Sequence, residues 1–262
     1  MRPAVAAAMW RFGMAEAVAY RASMFVWILA TCFPLVSLAL WAHLAEEGAI
    51  GGYDQEGFVS YFVAAFMIRQ MTSAWVCWDL SRHIRLGELD AMLLRPAHPI
   101  LHYVMSNFAA LPMRALMALP LGVGVLVLAG GGAPVTLGDA LRTLPALVFA
   151  WGIVFLCQLT VASLAFWLTS ATSLYEAWLA LHLVLSGYLL PTSLFPERLA
   201  EVIRALPFFA ALGFPVEVLT GRLSHVAYLE GLGLQCCWVA CFGVLASMCW
   251  RRGLARYGSV GA

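Results

Sequence analysis

Charged side chains are missing from long stretches of this chain, and the gaps predict its elements. Runs without Asp, Glu, Lys or Arg cover residues 22–45, 115–138, 143–175, 177–196 and 231–250, and a further run, 57–78, is broken only by Arg69. A helix rises about 1.5 Å per residue and a bilayer core is about 30 Å thick, so about 20 apolar residues cross it. The pattern predicts six transmembrane helices, at about 22–44, 58–78, 108–129, 144–168, 177–194 and 229–250. Leu, Ala, Val, Trp and Phe follow one another continuously, without the alternating segments of roughly ten residues that a membrane barrel shows. The expected fold class is all-α, a polytopic membrane protein.

Composition strengthens that reading. Of 262 residues, 63% are hydrophobic and 11% charged, and the mean hydropathy is +0.87. A soluble domain carries about a quarter of its residues charged, so this chain has too few charges to cover a surface facing water. The first apolar run is too long and too late for a cleaved signal peptide, and residue 1 onward is read as mature protein.

Orientation follows from arginine, because the sequence contains no Lys. An inside N-terminus assigns Arg2, Arg11, Arg21, Arg82, Arg85, Arg95, Arg114, Arg251, Arg252 and Arg256 to the cytoplasmic side. The outer side receives Arg142, Arg198, Arg204 and Arg222 with the acidic residues Glu46, Glu47, Asp54 and Glu56. The excess favours both termini in the cytoplasm. A net charge of +1 with scattered Arg argues against a nucleic-acid partner, which wants a basic face. The same Arg near the membrane can meet anionic headgroups of the bilayer.

Between the runs, residues 1–21 read as a helix lying in the interface, with Val5, Met9 and Phe12 on one side, or as an extension of the first span. The "GGGAP" turn at 130–134 closes the third span. Segment 195–228 is too apolar for a water-exposed loop. Pro207, Gly213 and Pro215 punctuate it, and it is expected to dip into the membrane as broken helix or to pack on the outer ends of the spans. The whole chain, 1–262, reads as a single transmembrane domain.

Candidate chemistry is sparse. No H-E-x-x-H, G-x-S-x-G or paired carboxylates lie in the spans. His182 and His43 read as packing or interface residues. Cys32, Cys77, Cys157, Cys236, Cys237, Cys241 and Cys249 read as small core residues rather than as a disulfide framework or metal site. A nucleotide-binding P-loop needs a Lys that this chain does not have, so any ATP hydrolysis must occur on another polypeptide. Glu176 is expected to cap the start of the fifth span, with Tyr175 as an interfacial aromatic. Within the second span Arg69, Gln70, Thr72 and Ser73 are candidates for a pathway or gate. Structural ties to neighbouring helices are the competing reading.

The stretch 79–96 carries the densest charge. Leu80, Ile84, Leu89, Met92 and Leu93 recur at about helical spacing, while Arg82, Arg85, Glu88, Asp90 and Arg95 lie mainly elsewhere. Gly87 predicts two short helices, and Pro96 and Pro99 are expected to stop them. Such a segment rests one face on the membrane and offers the other to a cytoplasmic partner, or is a solvated positive-inside loop.

Three stretches resemble the permease subunits of ABC-2 type exporters, in the six-helix bacterial branch linked to viologen and drug export. They are "IRLGELDAMLLRP", "LPFFAALGFPVEVLTGRLS" and the tail "WRRGLARYGSVGA", in which Ala255 replaces a commonly basic residue. The resemblance implies an ABC-2, type V exporter-like transmembrane domain in the bacterial inner membrane, exporting substrate with ATP hydrolysed by a separate cytoplasmic ATP-binding subunit. That partner, not this chain, would bind ATP and Mg. A second permease subunit, the same or related, would complete a dimer, and the first, second and fifth spans are expected to line the path between them. Carried onto this chain, the coupling helix comprises Arg82, Ile84, Arg85, Gly87, Glu88, Leu89, Asp90, Arg95 and Pro96. The chain itself is expected to be non-catalytic and to hold no cofactor or metal. The alternatives are a nucleotide-independent transporter or a membrane assembly scaffold.

Overall fold

The computed structural model describes residues 3–130 and 135–257, residues 3–7 by backbone alone. Most of the "GGGAP" turn, the last five residues of the tail and the side chain of Val5 lie outside the described residues. The described chain is helical, in the order α1 (Pro3–Ala19), α2 (Arg21–Ala30), α3 (Phe33–Leu44), α4 (Gln55–Thr72), α5 (Val76–Arg85), α6 (Leu89–Leu93), α7 (Pro99–Leu128), α8 (Leu137–Ser163), α9 (Ala171–Leu185), α10 (Glu197–Ala205), α11 (Pro207–Ala211), α12 (Gly213–Leu219) and α13 (His225–Tyr257).

Among the described residues, four helical stretches are long and apolar enough to cross a membrane: Arg21–Glu47, Pro99–Leu128, Leu137–Phe166 and His225–Tyr257. The first is broken at Thr31 and Cys32, just before Pro34, whose ring removes a backbone donor. The expected second and fifth spans are shorter. Ser73 turns to extended backbone (φ −62°, ψ 136°) and ends α4 six residues before the sequence pattern ends it. Helix α9 stops at Leu185, because Gly187 takes a left-handed conformation (φ 89°) and Pro191 follows.

Helix α4 is the centre of the molecule. It packs against α3, α7, α8 and α12, and Phe58, Tyr61, Phe62 and Phe66 are fully buried along it. Trp41 and Tyr53 stack on Phe58, with ring centroids 5.7 and 5.1 Å away. Asp54 caps its N-terminus by accepting from the Gly57 N–H at 2.8 Å. Helix α8 is the second hub, in contact with α13, α5, α12, α4 and α9. In lipid there is little hydrophobic drive between spans, so close approach through small residues decides which helices meet. Thus α1 lies along α7 through Gly13, which faces Ala109, with Ala17 buried one turn on. Phe12 stays largely exposed.

Two punctuation marks act differently from the sequence expectation. Pro99 does not stop a helix but starts α7, at a position where its missing N–H costs nothing. Glu176 sits outside the first turn of α9, which begins at Ala171, so it caps nothing.

Candidate functional site

Segment 79–96, with its dense charge, is a pair of short helices, as Gly87 predicts: α5 and α6 meet at Gly87, whose φ of 73° suits glycine. Val76, Cys77, Leu80, Ser81 and Ile84 of α5, and Leu89 and Met92 of α6, face inward. Arg82, Arg85, Glu88, Asp90, Arg95 and Pro96 are exposed, joined by Leu86 and by Leu94, which is 89% exposed. Arg82 and His83 meet the Glu88 carboxylate at 3.4 and 3.6 Å, which ties α5 to α6 across the glycine. The other His83 nitrogen lies 2.6 Å from the Tyr103 hydroxyl on α7. Desolvation, reinforced by Arg82, holds the His83 imidazole below its ordinary value, against the pull of Glu88. Asp90 faces Tyr257 near the end of α13.

Where α4 ends and α5 begins, the Ser73 and Ala74 carbonyls have no helical partners, inside protein, while the Trp75 carbonyl already accepts from Trp78 and Asp79 of α5. An unpaired amide or carbonyl in such a place costs several kcal/mol, so irregular backbone persists there only when other groups bind it. Two helices supply those groups, and a third holds one of them in place. Arg114 of α7, 4% exposed, donates to the Ser73 carbonyl at 2.6 Å. Gln158 of α8, 1% exposed, donates to the Ala74 carbonyl at 2.8 Å and accepts from the Cys77 N–H at 3.1 Å. Its amide also reaches the hydroxyl of Tyr175 on α9, at 2.8 Å. Arg114, assigned from sequence to the cytoplasmic side, is therefore a buried tie, and Tyr175, expected at the interface, is part of the core.

One turn before the junction, Arg69 faces a different environment. It opens on a cavity of about 320 Å³ between the kinked first span (Ala30, Phe33), α9 (Leu179, His182, Leu183) and Tyr188. Arg69 stands beside the Tyr188 phenol, whose hydroxyl donates to the Thr31 carbonyl at 2.6 Å. Gln70 is absent from the cavity lining and donates to the Thr31 hydroxyl at 2.9 Å. Thr72 bonds back to Ile68 within its own helix, and the Ser73 carbonyl belongs to the junction. Of the four residues singled out in the second span, the structure places only Arg69 on this cavity. His182, read from sequence as a packing residue, joins it there.

The irregular stretch after α9 is held in place by tyrosine and tryptophan. Tyr61 donates to the Gly187 carbonyl at 2.9 Å, and Trp41 to the Leu189 carbonyl at 3.1 Å. A larger cavity of about 750 Å³ lies at the far end of the molecule, between the 51–53 turn, α11, α12 and the start of α13. Its charged residues, Arg204, Glu217, Arg222 and Glu230, include both signs, and two of them are tied to neighbours. Arg222 lies 3.5 Å over the Tyr53 ring and donates to the Gly52 carbonyl, while the buried Glu217 accepts from Thr192 at 3.1 Å. Segment 195–228 folds as three short helices followed by the start of α13, with Phe208, Phe209 and Phe214 buried. Helix α11 reaches between the long helices, where the Phe208 ring lies 4.3 Å from that of Trp178 of α9 and the Ala210 carbonyl accepts from Gln235 of α13.

Sequence reasoning passed over Gln158, Thr31 and Tyr188. The available signal was a lone polar side chain in an otherwise apolar run, which in a span must find a partner. The chain matches the family described as ABC-2 family transporter protein over residues 25–261. No curated protein matches it.

Proposed function

The chain belongs to the ABC-2 transporter family, and from that premise we propose that it is the permease subunit of an ATP-driven exporter in the bacterial inner membrane. It crosses the membrane six times with both termini in the cytoplasm. Helix α4, at 18 residues, rises about 27 Å and completes its crossing through the junction. The irregular residues after α9 complete the fifth. Three features support the orientation by gathering at one end: α1 along the start of α7, the α5–α6 pair, and the end of α13, where Trp250 lies against His98.

The observation that carries the reading is the strut formed by α4, α5 and α6. One end is the buried central helix; the other is an exposed face of Arg82, Arg85, Glu88, Asp90 and Arg95 with Leu86 and Leu94 at hand. The ATP-binding subunit docks on that face, and its closure moves α5. The clamp passes the movement to α7 and α8, since Arg114 and Gln158 bond to the backbone at the turn itself, and on to α9 through the bond from Gln158 to Tyr175. ATP and Mg stay on the partner. A second permease subunit, the same or related, faces the first, second and fifth spans, where the Arg69 cavity opens.

The test is co-purification with the ATP-binding subunit, followed by ATPase assays in lipid, for wild type and for the triple variant Arg85→Ala, Glu88→Ala, Asp90→Ala. Stable association that the variant loses or uncouples supports the strut. A variant that behaves like wild type, or a chain that recruits no ATP-binding subunit, transfers the reading to a nucleotide-independent transporter or scaffold.

A further inference from the structure

We propose that the Arg69 cavity binds an anionic amphiphile, an apolar body carrying a carboxylate, sulfonate or phosphate, and excludes organic cations. As a transport substrate site it rests on the exporter reading; as a binding site it stands on its own geometry.

Among the described residues, Arg69 is the only charged one lining the cavity, and no carboxylate lines it. None of the ion pairs among the described residues includes Arg69. Arginine keeps its proton in proteins. Placing a charged side chain at mid-span costs at least about 2.5 to 3.5 kcal/mol unless something compensates it. Among the described residues the side chain beside it is the Tyr188 phenol, whose own proton is committed to the Thr31 carbonyl, and the last turn of α4, in which Arg69 lies, adds only partial negative charge. The guanidinium fork therefore keeps N–H groups for an incoming anion.

A second group points the same way. His182 is buried to 7% exposure, lines the same cavity, and its Nδ1 has no hydrogen-bond partner among the described residues. A buried polar atom left unpaired costs about 1 to 3 kcal/mol; Nδ1 lies beneath the cavity wall, so an acceptor oxygen in the cavity would recover that once the imidazole turns its N–H towards it. The walls opposite are apolar, Phe33, Ala30, Leu179 and Leu183. The site thus matches a ligand with an oxyanion at one end and an aromatic or aliphatic body at the other. A quaternary ammonium would meet Arg69 with no carboxylate to offset the repulsion.

The test uses the full chain in phosphatidylcholine nanodiscs and two fluorescent probes of equal body and opposite charge, 1-pyrenesulfonate and 1-pyrenyltrimethylammonium. Binding is read as saturable energy transfer from Trp to pyrene, corrected with empty discs. Wild type should bind the sulfonate at least about tenfold more tightly than the ammonium, since a single charge at close range in a site of intermediate polarity is worth that much. Arg69→Gln should abolish the difference, and Arg69→Lys should keep it. Equal affinities in wild type, tighter binding of the ammonium, or a preference that survives in Arg69→Gln overturns the proposal. Should Arg69→Gln fail to fold, the wild-type ratio and Arg69→Lys decide alone. Anion binding without any partner ATPase response keeps the site and removes the exporter reading. A working ATPase couple with no anion preference removes only this inference.

Discussion

The α4–α5 junction and the Arg69 cavity both place polar groups between helices, within a few residues of each other, and they differ in whether those groups have partners. At the junction the carbonyls of Ser73 and Ala74, the Cys77 N–H and the Tyr175 hydroxyl are all engaged by Arg114 and Gln158. At the cavity, among the described residues, His182 Nδ1 has no partner and Arg69 has no counter-ion. A fully satisfied buried network is stiff and holds one geometry, whereas an incomplete one keeps bonding capacity for something that arrives. The first is suited to transmit force and the second to receive a ligand.

Breaking the junction should have the largest effect. Gln158→Leu keeps the volume apolar but strips the partners from the Ala74 carbonyl and the Cys77 N–H and removes the amide from Tyr175. Each orphaned group costs about 1 to 3 kcal/mol, so the variant should lose about 3 to 5 kcal/mol of stability. Thermal unfolding in detergent measures the loss. Variant protein that still assembles with its ATP-binding subunit should hydrolyse ATP without responding to substrate.

How much of this contrast is legible in the sequence follows from its physical origin. Apolar runs set by the thickness of a bilayer identify four spans well, and Gly87 between two amphipathic stretches marks the α5–α6 turn in the residue pattern itself. The break at Thr31 has its signal in Pro34, which the apolar run hides, whereas the break at Ser73 is not legible in that way. Ser is ordinary within spans, and only Arg114 on α7 and Gln158 on α8 make extended backbone tolerable there. The same holds for Gln158, whose neighbours in α8 are Cys157 and Leu159. Hydropathy averages it away, yet its amide joins segments 81 and 84 residues apart in sequence. Arg69 stood out because charge in a span is rare. His182, beside it on the cavity, did not, since a lone histidine carries no spacing signal.

His182→Leu sharpens the comparison from the other side. It removes a buried group whose Nδ1 has no partner, so stability should stay within about 1 kcal/mol of wild type and can rise, because no bond to Nδ1 is lost. The same substitution should weaken pyrenesulfonate binding severalfold. A large loss of stability would mean that His182 has a structural partner in the assembled protein, and would place it with Gln158 rather than with Arg69.

The smallest effect is expected at the exposed end of the strut. His83 lies between Tyr103 on one nitrogen and the Arg82–Glu88 pair on the other. Desolvation depresses its folded value below the ordinary 6.5. A histidine with a depressed folded value binds its proton more readily in the unfolded chain, so its contribution to stability is intact above about 6.5 and is lost as pH falls through that value towards the folded one. The wild type should therefore lose thermal stability on acidification below about pH 6.5 more steeply than His83→Gln. The slope is shallow, since Glu88 partly compensates the imidazolium and is half exposed. Glu88→Gln removes that compensation and should steepen it, whereas a flat profile in all three proteins would show that the α5–α6 tie is carried by Gly87 and the apolar face of Leu89 and Met92 alone.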